Sequence, residues 1–307
     1  MTNTKNIPKG IGDLLLLITA IVWGGGFIGV SKSLDTLSPF YMIAIRFAIA
    51  SVLMIILFWK KFKAIKKEDL LPGCMIGTFL FLGFTFQTVG ALYISVGKLS
   101  FLTALNVIIV PFLTFVVFKQ HIKKYNLIAG LIAVVGFGFL NLNQEAGFSV
   151  GGGELLGILC AVFFAAHITV LGQYADKMDA IVLAILQMIT CCVLGFICAL
   201  LFEEPPKAIS MEMAIPVVYL GVFSSFCAFL CQTIGQKYTS ASRAAIILCM
   251  ESVFGTALSV LILKEALTLQ MIIGATLILS AVITAEYMHV RSEKSETAKE
   301  QLIMNNE

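Results

Sequence analysis

Residues 87–98, QTVGALYISVGK, return as residues 232–243, QTIGQKYTSASR, 145 positions later. Gln87-Thr88 and Gly90 recur as Gln232-Thr233 and Gly235, Tyr93 as Tyr238 and Ser95 as Ser240, while Lys98 meets the equally basic Arg243. Both stretches close long apolar runs. Apolar matches would mean little where every run looks alike, so the polar residues in register carry the information. At the same spacing Asn106 pairs with Glu251 and Lys119 with Lys264. Nearer the N-terminus the spacing is 141: Gly12-Asp13 pairs with Gly153-Glu154, Gly26 with His167, Asp35 with Asp176 and Arg46 with Gln187. Residues 12–142 and 153–288 are thus two versions of one pattern, joined by a polar, glycine-rich linker at 143–153.

The chain is 59% hydrophobic and 13% charged, with a mean hydropathy of +0.97. Soluble domains carry about 25% charged residues, so a soluble fold is excluded. Apolar runs of about 20 residues read as membrane-spanning helices, the state in which a chain satisfies its own backbone in lipid. Ten fall near 13–31, 39–59, 72–92, 100–118, 126–142, 154–173, 180–202, 214–235, 243–263 and 270–288. Residues 43–58 lack the alternation of a barrel strand. The first run, 14–30, has no small-residue cleavage site and reads as a span rather than a signal peptide. The expected fold is an all-α integral membrane protein of ten transmembrane helices, five per copy. Five is odd, so the second copy is inverted, the arrangement that lets a carrier expose one site to either side.

Lysine and arginine orient the spans. With the N-terminus inside, 16 of the 21 basic residues fall on the inner side and four outside (Lys32, Lys98, Lys207 and Lys264), with Arg46 within a span. Both termini are expected in the cytoplasm, residues 289–307 forming a charged, mobile tail. The loop after the second helix is Lys60-Lys61-Phe62-Lys63 in one copy and Glu203-Glu204-Pro205-Pro206 in the other. One suits the inside, its counterpart the outside.

All eight cysteines lie in apolar stretches. Cys227 and Cys231 are one helical turn apart, but no histidine or carboxylate joins them at ligand spacing, so packing rather than metal binding is expected. No P-loop, His-Glu-x-x-His or Gly-x-Ser-x-Gly motif is present, which argues against ATP-driven transport and against an embedded enzyme. No cofactor and no nucleic acid is expected as a partner.

Several short motifs, in order along nearly the whole chain, resemble the drug/metabolite transporter superfamily and its EamA-type family. They are Ala20-Ile21-Val22-Trp23-Gly24, then Arg46-Phe47 with Ala48 and Ala50, then Glu251-Ser252-Val253-Phe254 with Lys264-Glu265, and last Ile273-Gly274-Ala275 with Leu277-Ile278-Leu279. Pro111-Phe112 holds the equivalent place in the first copy. Ser252 stands where the family has proline, Gln120 where it has an acid, and Phe164 where it has tryptophan. The resemblance implies two inverted five-helix repeats and transport of a small organic solute, often outward, in a bacterial plasma membrane.

Polar groups in lipid are costly and mark function. Arg46 and Glu251 are the charged residues well inside spans, their backbones roughly 8 Å apart in depth at 1.5 Å rise per residue. Arg46 suits an anionic group of the solute, or else snorkels outward as a structural residue. Glu251 suits an ammonium group or a proton, or else bonds a neighbouring helix. His167 lies deep in the sixth helix, as a titrating group or a bonded packing residue. Repeat partners fall at mirrored depths, so Arg46, Gln187, Asn106 and Glu251 are expected around one central cavity. With His167 and Trp23 they are the candidate solute-binding residues. Gln87 and Gln232, nearer helix ends, are expected in a gate or in packing. One cation and one anion match a zwitterion, so the expected work is secondary transport of amino acids or related metabolites by alternating access, with a proton as candidate coupling ion. The alternative is a passive channel or a non-transporting sensor on a carrier fold. Lipid is the expected surroundings, and monomer and homodimer both stay open.

Overall fold

A computed structural model describes residues 10–94, 96–140, 151–206, 211–262 and 267–304. Lys5, Lys9, Ser95, residues 143–150 of the linker, Lys207, Lys264 and Glu265 lie outside the described residues. The first half holds α1 (Ile11–Leu34), α2 (Pro39–Leu57), the short α3 (Trp59–Lys63), α4 (Lys67–Gly90), α5 (Val96–Ala104), α6 (Asn106–Phe118) and α7 (Lys124–Leu140). The second holds α8 (Gly152–Tyr174), α9 (Ala180–Phe202), α10 (Met211–Tyr219), a π-helical turn (Leu220–Cys227), α11 (Ala228–Gln236), α12 (Ala241–Leu248), α13 (Met250–Ile262) and α14 (Leu269–Met304).

This is an all-α membrane protein. Among the described residues seven helical stretches are long and apolar enough to cross a bilayer: Ile11–Leu34, Pro39–Leu57, Lys67–Gly90, Gly152–Tyr174, Ala180–Phe202, Ala214–Gln236 and Ala241–Leu258. Shorter apolar helices cover Leu102–Phe118, Lys124–Phe139 and Leu269–Ala285. Large apolar side chains such as Ile56, Leu71, Val116, Leu200 and Leu261 stand exposed on the outside of the bundle. In water that would be a severe liability; in lipid it is the contact surface.

Helix starts follow local chemistry. Pro39, which has no N–H to leave unpaired, opens α2 after Ser38. The Asp179 carboxylate accepts from Ile181 N at 2.9 Å and Val182 N at 3.4 Å, capping α9. α2 and α9 lie antiparallel and are tied at both ends. Glu203, just past α9, accepts from Phe40 N and Tyr41 N, each at 2.9 Å, and Lys61 in α3 pairs with Asp179 at the other end. α7 packs on α14, α4 on α8 and α9, and α1 on α11 and α13. Glycines set the closest approaches: a Cβ on Gly24 would lie 2.7 Å from Gly255 N, and one on Gly136 2.8 Å from Gly274 O.

Three spans that read as plain rods are interrupted. The run near 100–118 breaks at Leu105, where Leu105 N and Ile108 N reach back three residues, to Leu102 O and Leu105 O. The run near 243–263 breaks at Cys249, where Ser252 N reaches back three residues and its hydroxyl also bonds Cys249 O, at 2.8 Å. The run near 214–235 widens through its π-helical turn, where Ala228 N–H is shared between Phe223 O, five residues back, and Ser225 O. Residues 289–304, expected as a charged tail, continue α14 as helix to Met304. Two buried apolar clusters flank the middle of the bundle. One includes Leu16, Val107, Phe137 and Ile278; the other includes Phe47, Leu80, Met188 and Phe229.

Candidate functional site

A cavity opens between those clusters, at the level where α5 meets α6 and α12 meets α13. Its volume is about 70 Å³, so what sets it apart is less its size than the polar and charged groups gathered in its wall. Both halves supply wall. From the first come Trp23, Gly26, Arg46, Gln87 and Asn106; from the second come His167, Ser224, Gln232 and Glu251. Aromatic faces from Phe84, Phe137, Phe164 and Phe229 fill much of the remainder.

Arg46 is 1% exposed. Its Nε donates to Ser225 Oγ at 2.9 Å and its Nη2 to Ser224 Oγ at 3.1 Å. The guanidinium carbon lies 4.5 Å from the Phe84 ring centroid and 5.3 Å from that of Phe47, within cation–π range. No carboxylate pairs with it among the described residues. Two neutral hydroxyls and two rings hold the cation, and none of them carries a charge to cancel it.

Phe229 is the hub of the aromatic wall. Its ring centroid is 5.0 Å from that of Trp23, 6.0 Å from Phe84 and 6.0 Å from His167. Trp23 is held in turn by donating its indole N–H to Ser224 O at 2.9 Å.

His167 faces the cavity on one side and meets Gln187 Oε1 at 2.9 Å on the other. Gln187 Nε2 donates to Thr233 Oγ1 at 2.8 Å, and Thr233 donates to Phe229 O at 2.6 Å. Gln187 is fully buried and does not line the cavity; it stands behind His167 and positions it. Asn106 and Glu251, the repeat partners, each sit just after a helix break and line the wall. Neither has a hydrogen-bond or ion-pair partner among the described residues. Gln232 is fully buried, and both atoms of its amide lack partners. Such a group in a low-dielectric setting marks a place where a ligand or water completes the bonding.

Of the residues singled out in the sequence, Trp23, Arg46, Asn106, His167 and Glu251 come together in this wall. Gln87 and Gln232 are also in the lining, although their places near helix ends suggested a gate or packing. Ser224, Ser225, Thr233 and Phe229 were not singled out. The serine pair inside an apolar span was the available signal. No group of three His, Cys, Asp or Glu among the described residues is placed to hold a metal ion.

A second, more polar cavity lies at the far ends of α6, α8 and α11, lined by Gln120, Thr169, Asp176, Gln236 and Lys237 among others. Gln236 Nε2 donates to Ile168 O at 2.9 Å. Ile168 lines the first cavity and Gln236 the second, so this bond joins the two walls. Gln120 and Gln173 close the rim with a 3.0 Å side-chain bond.

Known proteins share this sequence and shape. The profile described as the EamA-like transporter family matches twice, over residues 10–142 and 152–285. An uncharacterized transporter of Archaeoglobus fulgidus is 35% identical over 279 residues, covering 91% of this chain and 87% of that protein. The uncharacterized transporter YetK of Bacillus subtilis is 27% identical, covering 90% and 87%. One solved structure superposes with a TM-score of 0.78 over 92% of this chain and 98% of its own; at 19% identity it speaks to the fold alone.

Proposed function

The chain belongs to the EamA-like transporter family, and from that premise we propose that it is a secondary carrier exporting amino acids or related small solutes by alternating access. The observation that carries the reading is the wall of the central cavity. A buried cation without a carboxylate, a carboxylate without a cation and an unpartnered amide (Arg46, Glu251 and Gln232) all border one space. A zwitterion offers the complement of each. In this reading Arg46 receives the carboxylate, Glu251 receives the ammonium group or a coupling proton, and the aromatic wall receives the apolar part. His167 lines the same wall, set in place by Gln187; Asn106 and Trp23 complete it.

The seven long spans and three shorter apolar helices make up the ten crossings of this proposal, arranged as two inverted repeats (12–142 and 153–288). The 16-to-4 distribution of basic residues supports both termini in the cytoplasm of a bacterial-type plasma membrane.

Counterflow in proteoliposomes tests the carrier. Purified protein is expected to exchange labelled for unlabelled amino acid, saturably, for at least one of a panel of twenty. Flux that rises linearly with concentration would instead identify a channel, and no flux at all would remove the transport reading. Arg46→Ala is expected to raise the apparent KM about tenfold or more, as loss of a charged hydrogen-bonding partner does. Glu251→Gln is expected to abolish stimulation by a pH gradient; unchanged stimulation would end the proton role.

A further inference from the structure

The third span of each half carries a proline near its start, inside the helix, and a Gln-Thr pair near its end. Pro72 and Pro216 are 144 positions apart, as are Gly77 and Gly221; Phe84 and Phe229, like Gln87 and Gln232, are 145 apart. The second copy therefore carries one extra residue between Gly221 and Phe229. Over that interval the first copy reads Phe79-Leu80-Phe81 and the second Phe223-Ser224-Ser225-Phe226: one leucine has become two serines. The same interval is where the second copy turns π-helical, Leu220–Cys227, whereas α4 runs through it as a regular helix. A single residue inserted between fixed flanks is absorbed as a π turn, and such turns concentrate at functional sites.

The hydrogen bonds show what the extra residue does. Ala228 N–H passes over Ser224 O, its acceptor in an α-helix, and is shared between Phe223 O and Ser225 O on either side of it. Ser224 O instead accepts from the Trp23 indole. The Ser224 and Ser225 hydroxyls both turn to Arg46.

We propose that the inserted residue seats the solute's anion receptor: the π turn makes Ser224 and Ser225 a neutral clamp that fixes the Arg46 guanidinium and leaves its charge for a carboxylate. This rests on the reading of Arg46 as that receptor. A guanidinium has five N–H donors; two are held by the serines, and three have no partner among the described residues. An apolar residue such as Leu80 in the same place would leave every donor unpaired, and an acid would cancel the charge. Gly26 is part of the fit, since a Cβ there would lie 3.1 Å from Ser224 Oγ. Ser224 and Ser225 are positioning residues, acting on the solute through Arg46.

The test has an arm that needs no solute. ¹⁵N-labelled protein carrying Trp59→Phe retains Trp23 as its one indole, and the indole and arginine Nε–H signals are followed in nanodiscs. Deleting Ser225 restores an uninterrupted α register and is expected to shift the Trp23 signal and speed its exchange. Ser224→Ala/Ser225→Ala keeps the Ser224 carbonyl; it is expected to leave Trp23 in place and shift the Arg46 Nε–H. If deletion leaves both signals unmoved, or the double alanine leaves Arg46 unmoved, the clamp is wrong. The second arm compares the double alanine with its Ser→Thr counterpart in flux assays. The probes are the twenty amino acids, each beside the amine lacking its carboxyl group. Apparent KM for a carried amino acid is expected to rise about tenfold in the double alanine, with maximal rate within about twofold, the amine little affected, and threonine restoring most of the loss. Equal loss for amino acid and amine would overturn the clamp. Failure of Arg46→Ala to alter amino-acid flux would overturn the receptor reading alone, and the spectroscopic arm would still decide the geometry.

Discussion

Thr233 donates its hydroxyl proton to Phe229 O, so toward Gln187 it can only accept. That sets the Gln187 amide with its nitrogen on Thr233 and its oxygen on His167, and it makes His167 Nε2 the protonated nitrogen. Nδ1 is then the ring's acceptor, with no partner among the described residues. Gln187→Leu would strand the His167 N–H, while Thr233 keeps its bond to Phe229 O, and an unmade buried bond costs about 1–3 kcal/mol. The expected result is a clear fall in thermal stability in detergent, together with altered solute affinity through a loosened His167; an unchanged melting temperature would show that the chain of bonds carries no load. The polar residues themselves were legible in the sequence, because a polar group in an apolar run stands out. Their partners were not. The repeat paired His167 with Gly26 and Gln187 with Arg46, yet in space His167 and Gln187 meet each other, because α8 and α9 both pack against α4 and α11, which brings their side chains within reach. Ser224 and Ser225 passed unmarked because small residues are common in membrane helices for packing alone.

Both breaks and the π turn escaped the sequence for a physical reason. Helix interruptions are usually signalled by proline or glycine, and neither Leu105 nor Cys249 is either. Pro111 lies inside regular α6. At Cys249 the work falls partly to Ser252, the residue standing where the resembling family has proline: its hydroxyl bonds Cys249 O. The α2–α9 pair was equally invisible, since its ties join residues more than 100 positions apart. Asp179 serves it doubly, as cap of α9 and partner of Lys61. Partial burial raises its pKa, but the Lys61 bond and the Ile181 and Val182 N–H groups outweigh that, and the net shift is downward. A lowered carboxylate stabilises above its ordinary pKa, about 3.9, and that contribution is lost as pH falls through the lower folded value. Melting temperature is therefore expected to drop below about pH 4, and Asp179→Asn to flatten part of that drop. Asp179→Ala removes the cap as well and is expected to cost about 0.5–2 kcal/mol at neutral pH. Where α1 crosses α13, Gly24→Ala would place a methyl 2.7 Å from Gly255 N. Overpacking of this kind costs about 1–3 kcal/mol, readable as a lower yield of monodisperse protein; an unaffected yield would mean the two helices separate freely.

At the scale of the whole molecule the sequence was most informative, because membrane insertion leaves few choices: apolar runs give helices, and register gives the repeat. The orientation is open to direct test. With the eight native cysteines replaced, Glu204→Cys is expected to react with a membrane-impermeant maleimide on intact cells and Lys66→Cys only after permeabilisation; the opposite pattern would invert the topology. What sequence could not show is how the two cavities relate, since that depends on side chains from α8 and α11 meeting across the bundle. Between the central cavity and the second cavity stands the bond from Gln236 to Ile168 O, with Gln236 Oε1 left unpartnered beside it. That bond ties a side chain of one wall to the backbone of the other, so its loss would loosen the layer between them. Gln236→Ala is expected to turn a quiet protein into a leaky one, with proteoliposomes losing a preloaded pH gradient faster while saturable exchange persists. A residue outside the central wall would then decide how much slips past uncarried.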